Sequence, residues 1–429
     1  MTSIPQLYQQ FLACTGACTD SRKVLPNSMF FALRGEQFNG NTFALQALQQ
    51  GAAWAVVDED VDAGEARCIR VPSVLQVLQD LAALHRRELN IPIVAITGTN
   101  GKTTTKELAS AVLARKLRVA STQGNLNNHI GVPLTLLGMD ASVQLGVVEM
   151  GANHPLEIAA LCRIAQPNAG LITNVGVAHL EGFGSLDGVK KTKGELYDYL
   201  AQHGGTAFCN SDSSDLLQML RASGVQQVVS YGLRECGVQV DGSPSSSPFL
   251  RLQMGNGEAW QTQLVGSYNA ANVLAAIALG RYYGVAEADI RHAVENYAPQ
   301  NNRSQLLQTP ANTIIVDAYN ANPSSMEASI ASFVQLKADN KFLILGDMLE
   351  LGESSLSEHR RVVQQLQHHH LHDAMLVGEQ FSQVASPHYA TFADVDALNR
   401  HLAEHRIAGR VILIKGSHGV HLERVVEGL

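Results

Sequence analysis

A chain of 429 residues is longer than one hydrophobic core usually supports, so two or three domains are expected. With 45% hydrophobic and 16% charged residues, its composition is that of an ordinary globular protein and excludes the disordered and fibrous classes. The formal net charge of -8 argues against a nucleic-acid binder, which needs a basic stripe to displace phosphate counterions, so any phosphate site here must be local. The cysteines, Cys14, Cys18, Cys68, Cys162, Cys209 and Cys236, form no CxxC pair that would hold zinc, and they read as reduced thiols. No leader pattern opens the chain and no apolar run reaches the ~18 residues of a membrane span. A cytoplasmic protein without membrane insertion is the expectation.

In chain order, residues 1–85 carry short apolar runs, MFFAL from Met29 and AWAVV from Ala53, around the helical stretch TFALQALQQG. They predict a small mixed α/β unit. A longer helical pattern, VLQVLQDLAALHRRELN, follows, and its HRR triplet (His85 to Arg87) reads as a solvated face. Residues 86–300 then alternate strand and helix (IVAI, KELASAVLARK, LGVVEM, PLEIAALCRIA, GLITNV), the pattern of a parallel sheet wrapped by helices. Within this block FLRLQM and AWQTQLV flank the turn residues Gly255 to Gly257 and predict an added hairpin. The rhythm breaks at APQNN, and residues 301–429 resume it from TIIVDAY to VILIKGS, predicting a Rossmann-like, doubly wound C-terminal domain. The fold class is therefore α/β with three domains, the central one built like a P-loop ATPase.

The strongest local signal is IVAITGTNGKTTTKELASAVL. An apolar strand enters a glycine-bearing turn and then a helix, so successive backbone N–H groups face one anion. Gly98 and Gly101 allow the tight path through Thr99 and Asn100; Lys102 offers its ammonium to the β and γ phosphates, and Thr103, followed by Thr104, offers a hydroxyl to Mg²⁺. Only two residues separate the glycines, where the usual P-loop has four. Residues following the neighbouring strands should converge on the same place. These include Glu149, a carboxylate fit to hold a metal bridging phosphates, then Asn174 and His179. Lys193 belongs to KKTK, whose three lysines in four positions look like a solvated helical face. The HHH run from His368 to His370 reads as the end of a helix favoured by its dipole, not as a metal site.

Together TGTNGKTT, the Glu149 of VVEMGA, NVGVAHLEGFG and TKGE resemble the Mur ligases of peptidoglycan synthesis, whose relatives include folylpolyglutamate synthase. The resemblance covers essentially the whole chain. The longer strings TQGNLNNHIGVPLTLL, EMGANH, DAYNANPSSM and LGDMLELG are similar to the branch of the family that adds a dipeptide. What this implies is a monomeric ligase using ATP and Mg²⁺ to join D-alanyl-D-alanine to UDP-N-acetylmuramoyl tripeptide through an acyl phosphate. Residues 1–85 would then bind the UDP end, with Ser21 and Arg22 at the nucleotide and Phe31 lining its pocket. Asn125, Asn127 and Asn128 would meet substrate, and Arg303 would reach the ATP phosphates. Asn272, Asp317 and Asn320 would approach the adenosine, while Tyr319, Asn322, Ser324 and Ser325 would wall the incoming dipeptide. Lys193 would be carbamylated, which turns a cation into an anionic metal ligand beside Thr103, Glu149 and His179. Lys102, Lys193, His179 and Arg303 are then the expected catalytic set. The chain departs from the family pattern at Asn39 and Asn41 (commonly DGH), Tyr268 (commonly histidine) and His418 (commonly arginine). Two rival functions stay open: a sister ligase adding one amino acid, and an ATP-gated binding protein without ligation.

Overall fold

The structure, a computed structural model, describes residues 3–61, 65–178, 180–241, 247–300 and 302–429. The first unit is a four-stranded parallel sheet, β1 (Ala17–Cys18), β2 (Met29–Phe31), β3 (Trp54–Val57) and β4 (Cys68–Arg70), in that spatial order. Asn41 ties this sheet to its surface loop, since its carboxamide accepts from Asp58 N and donates to Asp58 Oδ1 at 2.8 Å. Asn39 likewise donates to Glu59.

The middle unit holds six parallel strands: β5 (Ile93–Thr97), β6 (Val119–Ser121), β7 (Leu145–Glu149), β8 (Ala169–Ile172), β9 (Thr206–Asn210) and β10 (Gln227–Tyr231), in the order β10-β9-β8-β5-β7-β6. Strands buried on both faces need apolar residues at every position, and β5 and β7 are buried throughout. Alternation still sorts the two faces. Ile93 and Ala95 of β5 join the helices Gly131–Leu137, Glu157–Ala165 and Leu186–His203, while Val94 and Ile96 join Lys102–Leu113 and Ala270–Tyr282. The expected hairpin exists as β12 (Phe249–Gln253) and β13 (Ala259–Val265), and β11 (Gln239–Val240) extends it to a three-stranded antiparallel sheet.

The third unit contains β14 (Gln305–Gln308), β15 (Thr313–Asp317), β16 (Lys341–Gly346), β17 (Ala374–Val377), β18 (Ala390–Phe392) and β19 (Val411–Lys415), ordered β14-β15-β19-β16-β17-β18. It is parallel apart from β14, an antiparallel edge strand. The Asp347 of LGDM has a structural task here: its carboxylate accepts from Gln380 N and Phe381 N at the start of the helix Glu379–Val384.

The solvated face expected of His85 to Arg87 is corrected for two of the three residues. In the helix Val74–Leu89, which runs through residue 85, His85 and Arg86 are buried and only Arg87 is exposed. His85 bridges Tyr8 Oη (3.1 Å) and Met139 O (2.8 Å), and Arg86 donates to Ala165 O, Gln166 O and Asn168 Oδ1. These bonds satisfy carbonyls at the end of the helix Glu157–Ala165, which is why the charge is tolerated. As a result the first unit's Leu7, Phe11 and Phe31 share one continuous core with the middle unit's Ile93, Val132 and Val148. Among the described residues no helix is long and apolar enough to cross a membrane.

Candidate active site

Strand β5 lies between β7 and β8, so the chain leaves the sheet in opposite directions on its two sides and a crevice opens at their carboxyl ends. Gly98 (φ 143°) and Gly101 (φ 76°) carry the phosphate loop into this crevice. Neither tolerates a side chain: a Cβ would lie 2.0 Å from Thr173 Oγ1 at Gly98 and 2.5 Å from Asn272 Oδ1 at Gly101. The backbone of Asn100 between them is held by Asn174, whose carboxamide accepts from Asn100 N (2.9 Å) and donates to Asn100 O (3.0 Å). Thr173 Oγ1 adds a bond of 2.6 Å to the same oxygen. The short spacing between the glycines thus still builds an anion cradle at the N-terminus of the helix Lys102–Leu113.

Lys102 Nζ donates to Gly98 O (2.8 Å) and Thr99 O (2.9 Å), which arches the side chain back over its own loop. Burial lowers its pKa, the Glu149 carboxylate opposes that shift, and the Arg303 guanidinium adds to it. Glu149 ends β7 almost fully buried; its Oε1 accepts from Thr103 Oγ1 (3.2 Å) and Asn127 Nδ2 (2.8 Å). Its Oε2 is buried with no hydrogen-bond partner. An orphaned carboxylate oxygen beside a hydroxyl and a phosphate cradle is a donor set suited to a hard divalent cation. No group of three or more His, Cys, Asp or Glu residues gathers among the described residues.

Around this cradle a cavity of about 1140 Å³ is lined mainly by the middle and third units, with Leu75 and Gln79 of the helix Val74–Leu89 also on its wall. It brings together Thr99, Asn100, Gly101, Lys102, Thr103, Thr104, Asn125, Asn127, Asn128, Glu149 and Asn272 with Arg303, Asp317, Tyr319, Asn320, Ser324 and Ser325. The Arg303 guanidinium lies over the Tyr319 ring at 3.5 Å, and Tyr319 stacks on His418 at 5.6 Å. His418 thus forms an aromatic shelf where the resemblance led to an arginine. Asn272 supports the loop from behind, accepting from Thr105 Oγ1 and donating to Asn269. Asn128 serves the local chain, its carboxamide accepting from Ile130 N and Gly131 N.

Ser21, Arg22, Phe31, Lys193 and Asn322 do not line this cavity. Ser21 and Arg22 follow β1 on the first unit, Arg22 pairing with Asp20 through two bonds of 2.9 Å that hold the Asp20 carboxyl down at about 2. Phe31 has no exposed surface and packs among core residues, so its ring offers nothing to a ligand and does not line a pocket. Lys193 is buried behind the cavity wall, its Nζ donating to Ala152 O at 3.2 Å and lying over the Phe183 ring. The solvated-face reading of KKTK fails for this lysine alone; Lys190 pairs with Asp215 and Lys191 is exposed. Burial above all, then the Lys102 charge, pulls the Lys193 amine down to about 7 against Glu157 and Glu195. His179 lies outside the described residues.

One pair of residues was missed, and one lysine, Lys415, was noted in KGSHG with its role left open by the departure at His418. Lys415 donates to Asp317 Oδ2 at 2.5 Å, and the same carboxylate accepts from Ser329 Oγ and Ser304 N, so Asp317 is an anchored wall. Lys415 ends β19 in register with Asp317, and the rule that ligands gather at strand ends, applied to VILIK, finds it. The pair Asn153 and Glu157 also faces the cavity, with Glu157 accepting from Asn153 N and His154 N.

Three stretches of the chain match the family's domain descriptions: residues 14–86 the Mur ligase family catalytic domain, 96–280 the Mur ligase middle domain and 302–418 the Mur ligase glutamate ligase domain. Over 96% of this chain and 93% of the relative, it is 32% identical to the UDP-N-acetylmuramoyl-tripeptide--D-alanyl-D-alanine ligase of Bacillus subtilis. The chain belongs to the Mur ligase family. Among solved Mur ligases it is similar to MurF from Acinetobacter baumannii (TM-score 0.86, 29% identity, 99% of this chain and 98% of that one). It is similar too to the MurF ligase of Thermotoga maritima in complex with ADP (TM-score 0.83, 26% identity, 97% of each chain). The three-unit α/β architecture is the Mur ligase architecture.

Proposed function

We infer that this Mur ligase joins D-alanyl-D-alanine to UDP-N-acetylmuramoyl tripeptide at the expense of ATP. The observation that carries this reading is one cavity where the phosphate loop, Lys102, Arg303 and the buried Glu149 converge, in a chain aligned from end to end with ligases named for that reaction.

A peptide carboxylate is a poor acyl donor because its oxygen leaves badly. In the first step that oxygen attacks the γ-phosphorus, a new O–P bond forms, the bond to the β-phosphate oxygen breaks, and ADP departs. In the second, the dipeptide amine attacks the acyl carbon, the C–O bond to phosphate breaks, inorganic phosphate leaves, and the nitrogen loses its proton to solvent. Both steps crowd anions together, so the protein must supply preorganised positive charge and donors. Loop N–H groups, Lys102 and Arg303 supply them here. Glu149 and Thr103 would hold Mg²⁺, which neutralises phosphate charge when bound. Lys193 deepens this site. An amine with a pKa near 7 is substantially unprotonated at neutral pH and can add CO₂, giving a carbamate that would serve as a further metal ligand with His179. The first unit takes the UDP end of the substrate at Ser21 and Arg22, and Tyr319 with Ser324 and Ser325 borders the acceptor side.

The test is mass-resolved product detection with ATP, Mg²⁺, UDP-muramoyl tripeptide and D-alanyl-D-alanine. ADP release should depend on the dipeptide, and Lys102→Ala should lower kcat by about 10²- to 10³-fold. Stimulation by single amino acids instead identifies a sister activity; ADP without amide product overturns the ligase reading.

A further inference from the structure

Asn322 precedes the helix Pro323–Gln335 of the third unit and is buried, yet it does not border the cavity. Its hydrogen-bonding groups are already engaged. Oδ1 accepts from Ser325 N at 2.9 Å, which caps the helix, and Nδ2 donates to Asn100 Oδ1 at 2.8 Å. Asn100 Nδ2 returns a longer bond of 3.4 Å to Asn322 Oδ1. Two residues on, Ser324 Oγ accepts from Val177 N at 3.1 Å and would lie 2.8 Å from any Cβ on Gly176. Gly176 N in turn donates to Thr99 Oγ1 at 3.1 Å.

Asn100 therefore sits between two grips. Its backbone is fixed from the middle unit by Asn174 and Thr173, whereas its side chain is fixed from the third unit by Asn322. A loop that must present successive N–H groups to phosphate gains from being held at both ends.

We propose that Asn322 is a positioning residue which, through Asn100, makes the shape of the phosphate loop depend on docking of the third unit. The proposal rests on the ligase reading above and moves Asn322 from the dipeptide wall, where the resemblance put it, to the nucleotide. It requires that Asn322 act on nucleotide affinity and turnover, not on dipeptide recognition.

The informative variant is Asn322→Ser. A serine hydroxyl caps a helix about as well as asparagine but is too short to reach Asn100. Melting temperature should stay at the wild-type value, while ADP binding with Mg²⁺ and KM for ATP should both weaken roughly tenfold, the equivalent of about 1.4 kcal/mol. KM for D-alanyl-D-alanine should not move. Asn100→Ala should give the same pattern, and the double variant should be no worse than either single one. A rise confined to the dipeptide KM returns Asn322 to the acceptor wall and overturns the proposal. So does a lower melting temperature with unaltered binding, which makes Asn322 a helix cap only, and so does full additivity of the two substitutions. If the wild type makes no amide product the ligase reading fails, whereas the effect of Asn322→Ser on ADP binding still decides the loop proposal.

Discussion

Lys193 shows how burying a single titratable group ties stability to pH. Its amine is pulled down to about 7 in the fold, below the ordinary lysine range of the unfolded chain. Between pH 7 and that range the unfolded chain binds the extra proton, so stability rises with pH. Below about pH 7 both states are protonated and the full cost of burying an ammonium is present. Lys193→Met, which keeps the volume and removes the charge, should therefore raise the melting temperature most at pH 6. The gain should shrink as pH climbs toward 10, and ligation should be lost throughout. A gain that is the same at all pH values would mean that the lysine titrates normally. Lys102 and Glu149 were legible because a local pattern of strand, turn and helix carries them. Lys193 looked solvated, because spacing along a helix does not say what packs on each face.

Arg86 makes the same point for an element. Helical periodicity located the stretch Val74–Leu89, and composition alone then put HRR in water. The neighbour that takes up Arg86, the turn Ala165 to Asn168, is some eighty residues away in sequence, and no local signal predicts it. Truncating the side chain strands buried carbonyls. Arg86→Ala should cost about 2–4 kcal/mol in chemical denaturation, whereas Arg87→Ala, one residue further on, should stay within about 0.5 kcal/mol. Equal effects would show that the carbonyl contacts contribute nothing. The strands β5, β7, β8, β15, β16 and β19 were legible as apolar runs. The short edge strands β1, β14 and β18 were not, since two to four residues with partial exposure carry no period to read.

At the scale of the molecule, one hydrophobic core runs across the border between the first and middle units. Leu7, Phe11 and Phe31 pack in one cluster with Ile93 and Val148, beside a small first-unit cluster around Phe30 and Val57, while the third unit's clusters around Leu343, Leu345, Ile412 and Ile414 take in only Val265 from the middle unit's buried core. Calorimetry should record the first two units melting in one transition and the third in another, and on the proposed placement of the nucleotide across the crevice ADP with Mg²⁺ should draw the two together. A first unit that melts alone would contradict the shared core. The division into three blocks was visible in the rhythm of strand and helix. How the blocks adhere was not, because it depends on side chains such as His85 and Asn322 whose partners the fold alone chooses.

The ties described between the middle and third units, Asn100 with Asn322 and Val177 with Ser324, are both between groups without net charge. Ionic strength acts on the attraction of the cavity for a polyanion and leaves such ties nearly untouched. Added salt should therefore weaken nucleotide capture without loosening the seam between the units, so crowding the solution with ions starves the enzyme before it opens it.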